Sequence, residues 1–147
     1  MKISFHGAAR TVTGSKHLVQ LANGENFLLD CGLFQGLGRD TDAYNANFGF
    51  DAKTVDYVIL SHAHIDHTGL LPKLAAEGFK GKIYCTPATK ALTEILLEDS
   101  AMIQRDDAKY KNKRLTREGM PQVEPLYTID DVNLLLPMLQ SVEYDKP

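Results

Sequence analysis

Four side chains that can bind a metal ion occur within six consecutive residues. They are His62, His64, Asp66 and His67, at positions i, i+2, i+4 and i+5. Imidazole nitrogens and carboxylate oxygens are common protein ligands of zinc and similar divalent ions. A lone histidine is more often a surface or core residue than a ligand, but three of them with an aspartate, directly after an apolar segment, favour a metal site.

The spacing of this cluster indicates how its side chains are oriented. His62 and His64 alternate, as on the extended end of a strand, so their side chains should point the same way. Asp66 and His67 should enter the first turn of a helix and point elsewhere. Two directions favour two ions, and ions about 3.5–4 Å apart can share a hydroxide that attacks a phosphodiester or a related bond. This chemistry needs no serine or cysteine nucleophile, and the chain contains no GxSxG motif.

Short segments rich in β-forming residues should position the cluster. The predicted strands are Lys2–His6, His17–Leu21, Asn26–Asp30, Val55–Ser61 and Lys82–Thr86. Asn23-Gly24 is typical of a hairpin turn, so the first three strands should form an antiparallel meander. The fourth is short, apolar and rich in β-branched residues, which predicts a buried strand directly before the cluster.

Three helices are predicted around these strands. The first covers Asp66–Glu77, because apolar residues recur at helical spacing and Gly78 can cap its end. A long helix should begin at Thr86-Pro87, which supplies an N-cap and a proline at the first helical position. The last should run from the N-cap Thr128 to about Leu139.

The long helix should bury an apolar face. The residues expected on the buried face are Leu92, Ile95, Leu96 and Met102 or Ile103. From Gln104 to Glu118 the helix is highly charged and should leave the core.

One long segment has no periodicity. Gly32–Lys53 is predicted to be a long loop, which in a compact domain usually serves a function.

The order of elements predicts a mixed α/β layered domain, because strands alternate with helices after the opening meander. A chain of 147 residues is long enough for one domain with its own core. The segment Ser141–Pro147 begins what could be a further strand without a closing element. We therefore expect the chain to be part of a longer one.

Composition excludes some classes of protein. The hydrophobic fraction of 44% and charged fraction of 24% are typical of a soluble globular protein, and no apolar run approaches the ~20 residues of a membrane span. The amino terminus lacks the pattern of a secretory signal, so a cytoplasmic location is expected. Cys31 and Cys85 have no disulfide or zinc-finger spacing and should be reduced. A net charge of −3 gives no overall sign of a nucleic-acid partner.

The cluster matches, position for position, the HxHxDH motif of the metallo-β-lactamase superfamily, and the chain resembles that family. The resemblance implies an αββα-type fold with a mixed sheet. It also implies that His62 and His64 bind one divalent ion and that Asp66 and His67, as catalytic residues, bind a second, zinc being the expected metal. Asp30, which ends the third predicted strand, would organise the ligand loop by hydrogen bonding.

Further segments resemble the β-CASP nucleases, including the RNA exonuclease-like and mRNA 3′-end-processing members. They are Gly7–Ser15, Asp30–Gly36, Leu97–Gln104 with the following Asn112-Lys113-Arg114, Pro125–Thr128 and Asp130–Val132. The resemblance favours RNA as the substrate, cleaved by a hydroxide held between two metal ions. It leaves open exonuclease against endonuclease action, and RNA against DNA.

The family pattern includes parts that this chain does not supply. A third histidine for the first ion, a bridging aspartate, a distal histidine and an inserted cap domain are expected, yet no histidine follows His67. Residues 1–147 should therefore be the amino-terminal part of a metallo-β-lactamase-like domain, inactive by itself, whose oligomeric state is open.

A basic stretch in the second half of the long helix is a candidate RNA-binding surface. Its candidate residues are Lys109, Lys111, Lys113 and Arg114, with Tyr110 among them. Lysine and arginine contact phosphates, and an aromatic ring can stack on a base. The alternative is a solvated helix end without a ligand.

Two other functions fit the same residues. One is a hydrolase of small thioesters or lactones, which would keep the fold and metals without a cap domain. The other is a non-catalytic RNA-binding scaffold, which would lack ligands elsewhere in the protein.

Overall fold

A six-stranded sheet organises the part of the chain that the structure describes. The computed structural model describes residues 1–36 and 38–145. The strands are β1 (Lys2–Phe5), β2 (His17–Gln20), β3 (Asn26–Leu29), β4 (Tyr57–Ile59), β5 (Lys82–Cys85) and β6 (Leu139–Ser141), and they lie in that order across the sheet. β1, β2 and β3 are antiparallel, while β3 to β6 are parallel. The predicted mixed α/β fold with an opening antiparallel meander is confirmed.

In the described part of the chain, five α-helices connect or follow these strands. They are α1 (Thr41–Ala46), α2 (Ile65–Thr68), α3 (Leu71–Ala76), α4 (Pro87–Arg117) and α5 (Ile129–Leu135). The predicted loop Gly32–Lys53 was wrong over α1, a helix of six residues that is too short to show a periodic pattern. Within that segment, Leu37 lies outside the described residues.

The helix predicted over Asp66–Glu77 is two helices, α2 and α3. Pro72 causes the break, because it has no amide hydrogen to donate to the carbonyl of residue 68 and its ring displaces that carbonyl. Gly78 does end the second helix as predicted. It has a φ of 104°, and its amide donates to the Ala75 carbonyl.

The long helix α4 begins as predicted but buries a different face. The Thr86 hydroxyl accepts the amide of Thr89, so the N-cap is confirmed. The buried residues of α4 are Thr89, Thr93, Leu97, Ala101 and Ala108. Of the residues predicted to be buried, Leu92, Ile95, Met102 and Ile103 are exposed and Leu96 is half-buried. The predicted face was wrong because small side chains let α4 approach α2, α5 and β6 closely, and the larger apolar stripe lies on the other side.

The last helix has the predicted start and an earlier end. Thr128 and Asp131 form a capping box, in which each side chain bonds the backbone of the other. α5 ends at Leu135 and not near Leu139, because Pro137 follows and the chain then enters β6. The further strand expected in Ser141–Pro147 was misplaced, since β6 ends at Ser141; residues 146 and 147 lie outside the described residues.

One face of the sheet forms the core with the helices. Its register aligns the buried residues Leu18, Leu28, Val58, Ile83 and Leu139 in a row. Side chains of α3, α4 and α5, among them Leu74, Leu97 and Val132, pack against this row. Cys31 and Cys85 are free and buried, as predicted. Among the described residues, no helix has the length and apolarity required to cross a bilayer.

Candidate metal site

The cluster lies where the central strand β4 passes into α2. β4 ends at Ile59, and the Leu60 amide still donates to the Tyr84 carbonyl of the neighbouring strand. His62 and His64 follow, and His64, with a φ of −57° and a ψ of 147°, directly precedes the helix. Asp66 and His67 belong to the first turn of α2. A parallel strand and a helix start therefore bring the four side chains to one edge of the sheet.

The three imidazole rings form one group with His62 in its centre. The centroid of the His62 ring is 4.0 Å from that of His67 and 4.7 Å from that of His64. Asp66 Oδ2 lies 3.5 Å from His67 Nε2. Two ligands of one tetrahedral zinc ion are about 3.3 Å apart, so the Asp66 and His67 atoms have the spacing of a pair on a single ion.

Asp30 joins the histidines to the sheet through four hydrogen bonds. Its Oδ1 accepts the Ser61 amide at 2.8 Å. Its Oδ2 accepts the Ser61 hydroxyl at 2.9 Å and the Ser15 hydroxyl at 3.3 Å, and it contacts His67 Nδ1 at 2.8 Å. Asp30 is buried and adopts the left-handed backbone with a φ of 57°, which aspartate tolerates better than most residues.

These bonds fix the tautomers of two histidines. A carboxylate only accepts, so His67 Nδ1 carries the hydrogen and Nε2 keeps its lone pair. The Ser61 hydroxyl gives its one hydrogen to Asp30. His62 Nδ1, 3.0 Å from that oxygen, must then donate to it, which again leaves Nε2 as the free acceptor. Both rings thus present the nitrogen that a metal ion could bind.

The charge state of His62 agrees with this arrangement. Burial lowers the pKa of His62, and the neighbouring His67 and His64 rings lower this pKa further. The imidazole is therefore neutral at neutral pH, as metal binding requires.

The segment after β3 holds α2 through backbone hydrogen bonds. The Cys31 amide donates to the His67 carbonyl at 2.7 Å, and the Leu33 amide to the Ile65 carbonyl at 3.0 Å. Between them, a Cβ on Gly32 would lie 1.6 Å from the Asp66 carbonyl oxygen. Only glycine permits this close approach, which explains the glycine after Asp30-Cys31.

Lys16 also supports the site and was not predicted from the sequence. Its side chain is fully buried, and its ammonium donates to the carbonyls of Gly14 at 3.0 Å and Gly32 at 2.8 Å. The same ammonium lies 4.2 Å from the centre of the Phe34 ring. The neighbouring Ser15 amide donates to the Asp66 carbonyl, so this loop contacts α2 directly. In the sequence, only the family resemblance of the preceding segment Gly7–Ser15 indicated that this loop has a role.

The nitrogen and oxygen donor atoms of the four residues are of the kinds that bind divalent ions. Asp66 Oδ2 and His67 Nε2 also have the separation expected of two ligands on one ion. Within residues 1–36 and 38–145, however, no three His, Cys, Asp or Glu side chains converge closely enough to hold an ion as they stand. As they stand, the four side chains therefore do not form a closed coordination shell.

The other predicted candidates lie away from this cluster. Lys109, Lys111 and Arg114 lie on α4 and pair with Asp106, Asp42 and Glu118, respectively, while Lys113 has no carboxylate within 4 Å in the described part of the chain. His6 and His17 pack edge-on against Phe50 and Phe5. These two histidines therefore have packing contacts outside the cluster.

Comparison with known families agrees with the mixed α/β fold and with the residues of the cluster. The family model described as the metallo-beta-lactamase superfamily matches residues 13–137. The chain belongs to this superfamily, whose members bind divalent metal ions.

Curated relatives include several ribonucleases. A ribonuclease of Thermus thermophilus is 48% identical over 126 residues, covering 86% of this chain and 28% of the relative. Integrator complex subunit 11 of Danio rerio is 35% identical over 134 residues, covering 86% of the chain and 22% of the relative. An endoribonuclease of Neurospora crassa is 32% identical over 143 residues, covering 95% and 15%. The chain spans less than a third of the length of each of these relatives. Their similarity confirms the resemblance to the β-CASP branch that the sequence indicated.

Solved structures also match part of the chain. A metallo-β-lactamase of Cronobacter sakazakii has a TM-score of 0.44 at 22% identity, covering 60% of this chain and 30% of that one. The short form of human tRNase Z has a TM-score of 0.43 at 21% identity, covering 68% and 40%.

Proposed function

We propose that this chain forms part of a metal-dependent ribonuclease that hydrolyses RNA phosphodiester bonds. The carrying observation is the Asp30 network, which presents His62 and His67 to a metal ion through their Nε2 atoms beside the Asp66 carboxylate. Relatives named as ribonucleases support RNA over a thioester or lactone as the substrate.

The residues have distinct roles in this proposal. Asp66 and His67 bind one divalent ion, and His62 and His64 bind a second, zinc being the metal that nitrogen and carboxylate donors favour. Bound ions would supply Lewis acidity and a nucleophile at neutral pH. Asp30 and Ser61 act through the histidines, because their hydrogen bonds hold the rings in the tautomer and orientation needed.

Residues 1–147 form the amino-terminal part of a longer metallo-β-lactamase-like domain in this proposal. The superfamily membership and the partial coverage of the relatives support it. Residues 68–147 contain no histidine, so the remaining histidine ligands come from other parts of that domain.

The test measures metal content and RNA cleavage in the protein that contains this chain. Asp66→Asn and His64→Ala should each lower the bound metal by about one ion and reduce cleavage of a labelled single-stranded RNA at least 10²-fold. His17→Asn is the matched control, since its ring packs against Phe5 and should leave both quantities unchanged. Unchanged metal content and cleavage in both cluster variants would reject the proposal.

A further inference from the structure

A groove with several positive charges lies on the carboxyl-terminal part of α4. We name it the basic groove; it encloses about 720 Å³. Its α4 wall consists of Tyr110, Lys111, Lys113, Arg114, Leu115 and Arg117. Asp42 of α1 and Val123 of the following segment complete it. Four cations thus face one carboxylate.

The carboxylates near this groove neutralise its cations only weakly. Lys111 lies 3.9 Å from Asp42, and Arg114 lies 3.7 Å from Glu118, all with exposed side chains. Such exposed ion pairs contribute little and are easily exchanged for another anion. Lys113 and Arg117 have no carboxylate within 4 Å among the described residues.

Helix stability alone does not explain this arrangement. Cations in the last turn favour the helix dipole, which accounts for Arg114 and Arg117. Lys109, Lys113 and Arg117, however, follow one another at intervals of four residues, where like charges destabilise a helix. A bound polyanion would relieve this repulsion.

The groove also offers a surface for a flat, partly apolar group. The Tyr110 side chain is 79% exposed. Its neighbours in the groove include the apolar Leu115 and Val123. Val123 is fixed by Asn112, whose amide group bonds both its N–H and its carbonyl at 2.8 and 2.9 Å. The wall opposite α4 is therefore held in place without a ligand.

The neighbouring cleft limits the extent of the site. Among the described residues, that cleft, of about 540 Å³, includes Asp42, Asp107 and Glu124 against Lys111 as its single cation. Three carboxylates disfavour a polyanion there. An anion-binding surface would therefore cover the basic groove and end where this acidic cleft begins.

We propose that the basic groove binds single-stranded RNA, with phosphates on Lys113 and Arg117 and a base stacked on Tyr110. The combination of unpaired cations with an exposed ring fits a nucleotide chain better than a simple anion or an acidic peptide, because only the first supplies both charges and flat bases. The choice of RNA over DNA rests on the proposed function. The surface is separate from the histidine cluster and supplies affinity and not chemistry.

The experiment measures binding of a fluorescein-labelled, unstructured RNA to the full chain by anisotropy, with EDTA present so that cleavage has no influence. Lys113→Ala/Arg117→Ala should weaken binding roughly tenfold at 0.1 M salt and reduce the slope of log affinity against log salt by about 1.4. Lys2→Ala/Lys80→Ala removes the same charge from exposed positions elsewhere and should change affinity less than about twofold.

Tyr110→Leu separates RNA from other polyanions. It should weaken RNA binding about fivefold or more, but leave binding of inorganic polyphosphate unchanged.

Two outcomes would overturn the proposal. An equal loss of RNA affinity in Lys113→Ala/Arg117→Ala and in Lys2→Ala/Lys80→Ala would show that only net charge matters. An unchanged affinity in Tyr110→Leu together with full competition by polyglutamate would indicate an acidic protein partner. Loss of RNA cleavage in the Asp66→Asn protein with intact RNA binding would separate this site from the proposed catalytic one. Melting temperatures close to that of the parent chain confirm that the variants fold.

Discussion

Asp30 is the residue on which the geometry of the candidate metal site depends. One buried carboxylate bonds Ser15 on the first loop, Ser61 at the end of β4 and His67 on α2. Each partner comes from a different part of the chain, with sequence separations of 15 to 37 residues. The sequence could indicate Asp30 only through its family resemblance, because strand-end aspartates are common.

Ser61→Ala tests how the ligand histidines are oriented. The change removes the hydroxyl that accepts the His62 Nδ1–H and donates to Asp30. His62 then no longer favours the tautomer with hydrogen on Nδ1 and a free lone pair on Nε2. We expect zinc affinity to fall about tenfold, as for other residues that support ligands. Competition with a chelator measures the affinity, and ¹⁵N shifts of His62 measure the tautomer. Ser141→Ala on β6 is the control, and an unchanged tautomer ratio would contradict the orientation argument.

Thr93 lies fully buried on α4, and its hydroxyl has no hydrogen-bond partner among the described residues. A buried polar group without a partner costs free energy, and valine has nearly the same shape. Thr93→Val should therefore raise the free energy of unfolding by about 1 kcal/mol, measured by urea denaturation. Thr89→Val is the matched control, because its hydroxyl accepts a bond from Thr86 and its loss should not stabilise. A destabilised Thr93→Val would show that the hydroxyl is satisfied.

At the scale of elements, two loops are joined beneath the cluster. The Thr13 hydroxyl bonds both the N–H and the carbonyl of Gln35, and Lys16 bonds the carbonyls of Gly14 and Gly32. The loop after β1 and the loop after β3 thus form one unit that contacts α2. Lysine is rarely buried, so no pattern of residue types could have predicted this link.

The buried ammonium predicts how stability depends on pH. Burial lowers the pKa of Lys16 to about 8 from the 10.5 of an exposed lysine. The folded chain therefore releases this proton before the unfolded chain does, and this contribution to stability rises as pH increases from about 8 towards 10.5. Between pH 7 and 9 the gain should be about 1 kcal/mol.

Lys16→Met provides the comparison for this effect, measured as free energy of unfolding against pH. The variant should lack the rise between pH 7 and 9. Cys31 acts in the opposite sense from about pH 9 upwards, since burial raises its pKa from 9.0 to about 12 and the unfolded thiol ionises first. The same rise in Lys16→Met as in the parent chain would assign it to other groups.

Short sequence motifs correctly predicted the turns and helix starts, because these features depend on residues that are neighbours in the sequence. The turn at Asn23-Gly24, the cap at Thr86 and the capping box at Thr128 lie where the sequence placed them. The errors arose where packing decided the outcome. The buried face of α4 depends on how near its neighbours lie, and the orientation of the histidines depends on a carboxylate more than 30 residues away.

At the scale of the whole molecule, the two faces of the sheet differ. Helices cover the face with Leu28 and Val58. The opposite face has a register row that pairs Phe5, His17, Leu29, Ile59, Tyr84 and Gln140 across all six strands. Phe5, Leu29, Ile59 and Tyr84 in this row are 36–65% exposed. Contiguous apolar surface of this kind favours association.

The 147-residue chain by itself should therefore associate through this sheet face as its concentration rises. Leu29→Thr/Ile59→Thr places β-branched threonine, which suits a strand, at both positions while it removes apolar surface. It should weaken self-association about tenfold, measured by sedimentation velocity. Leu92→Thr/Ile95→Thr makes the same change on the exposed stripe of α4, at 54% and 64% exposure. Because that stripe lies along one helix while the sheet row extends over six strands, the helix variant should have less effect. An equal or greater effect of the helix variant would move the association surface from the sheet to α4.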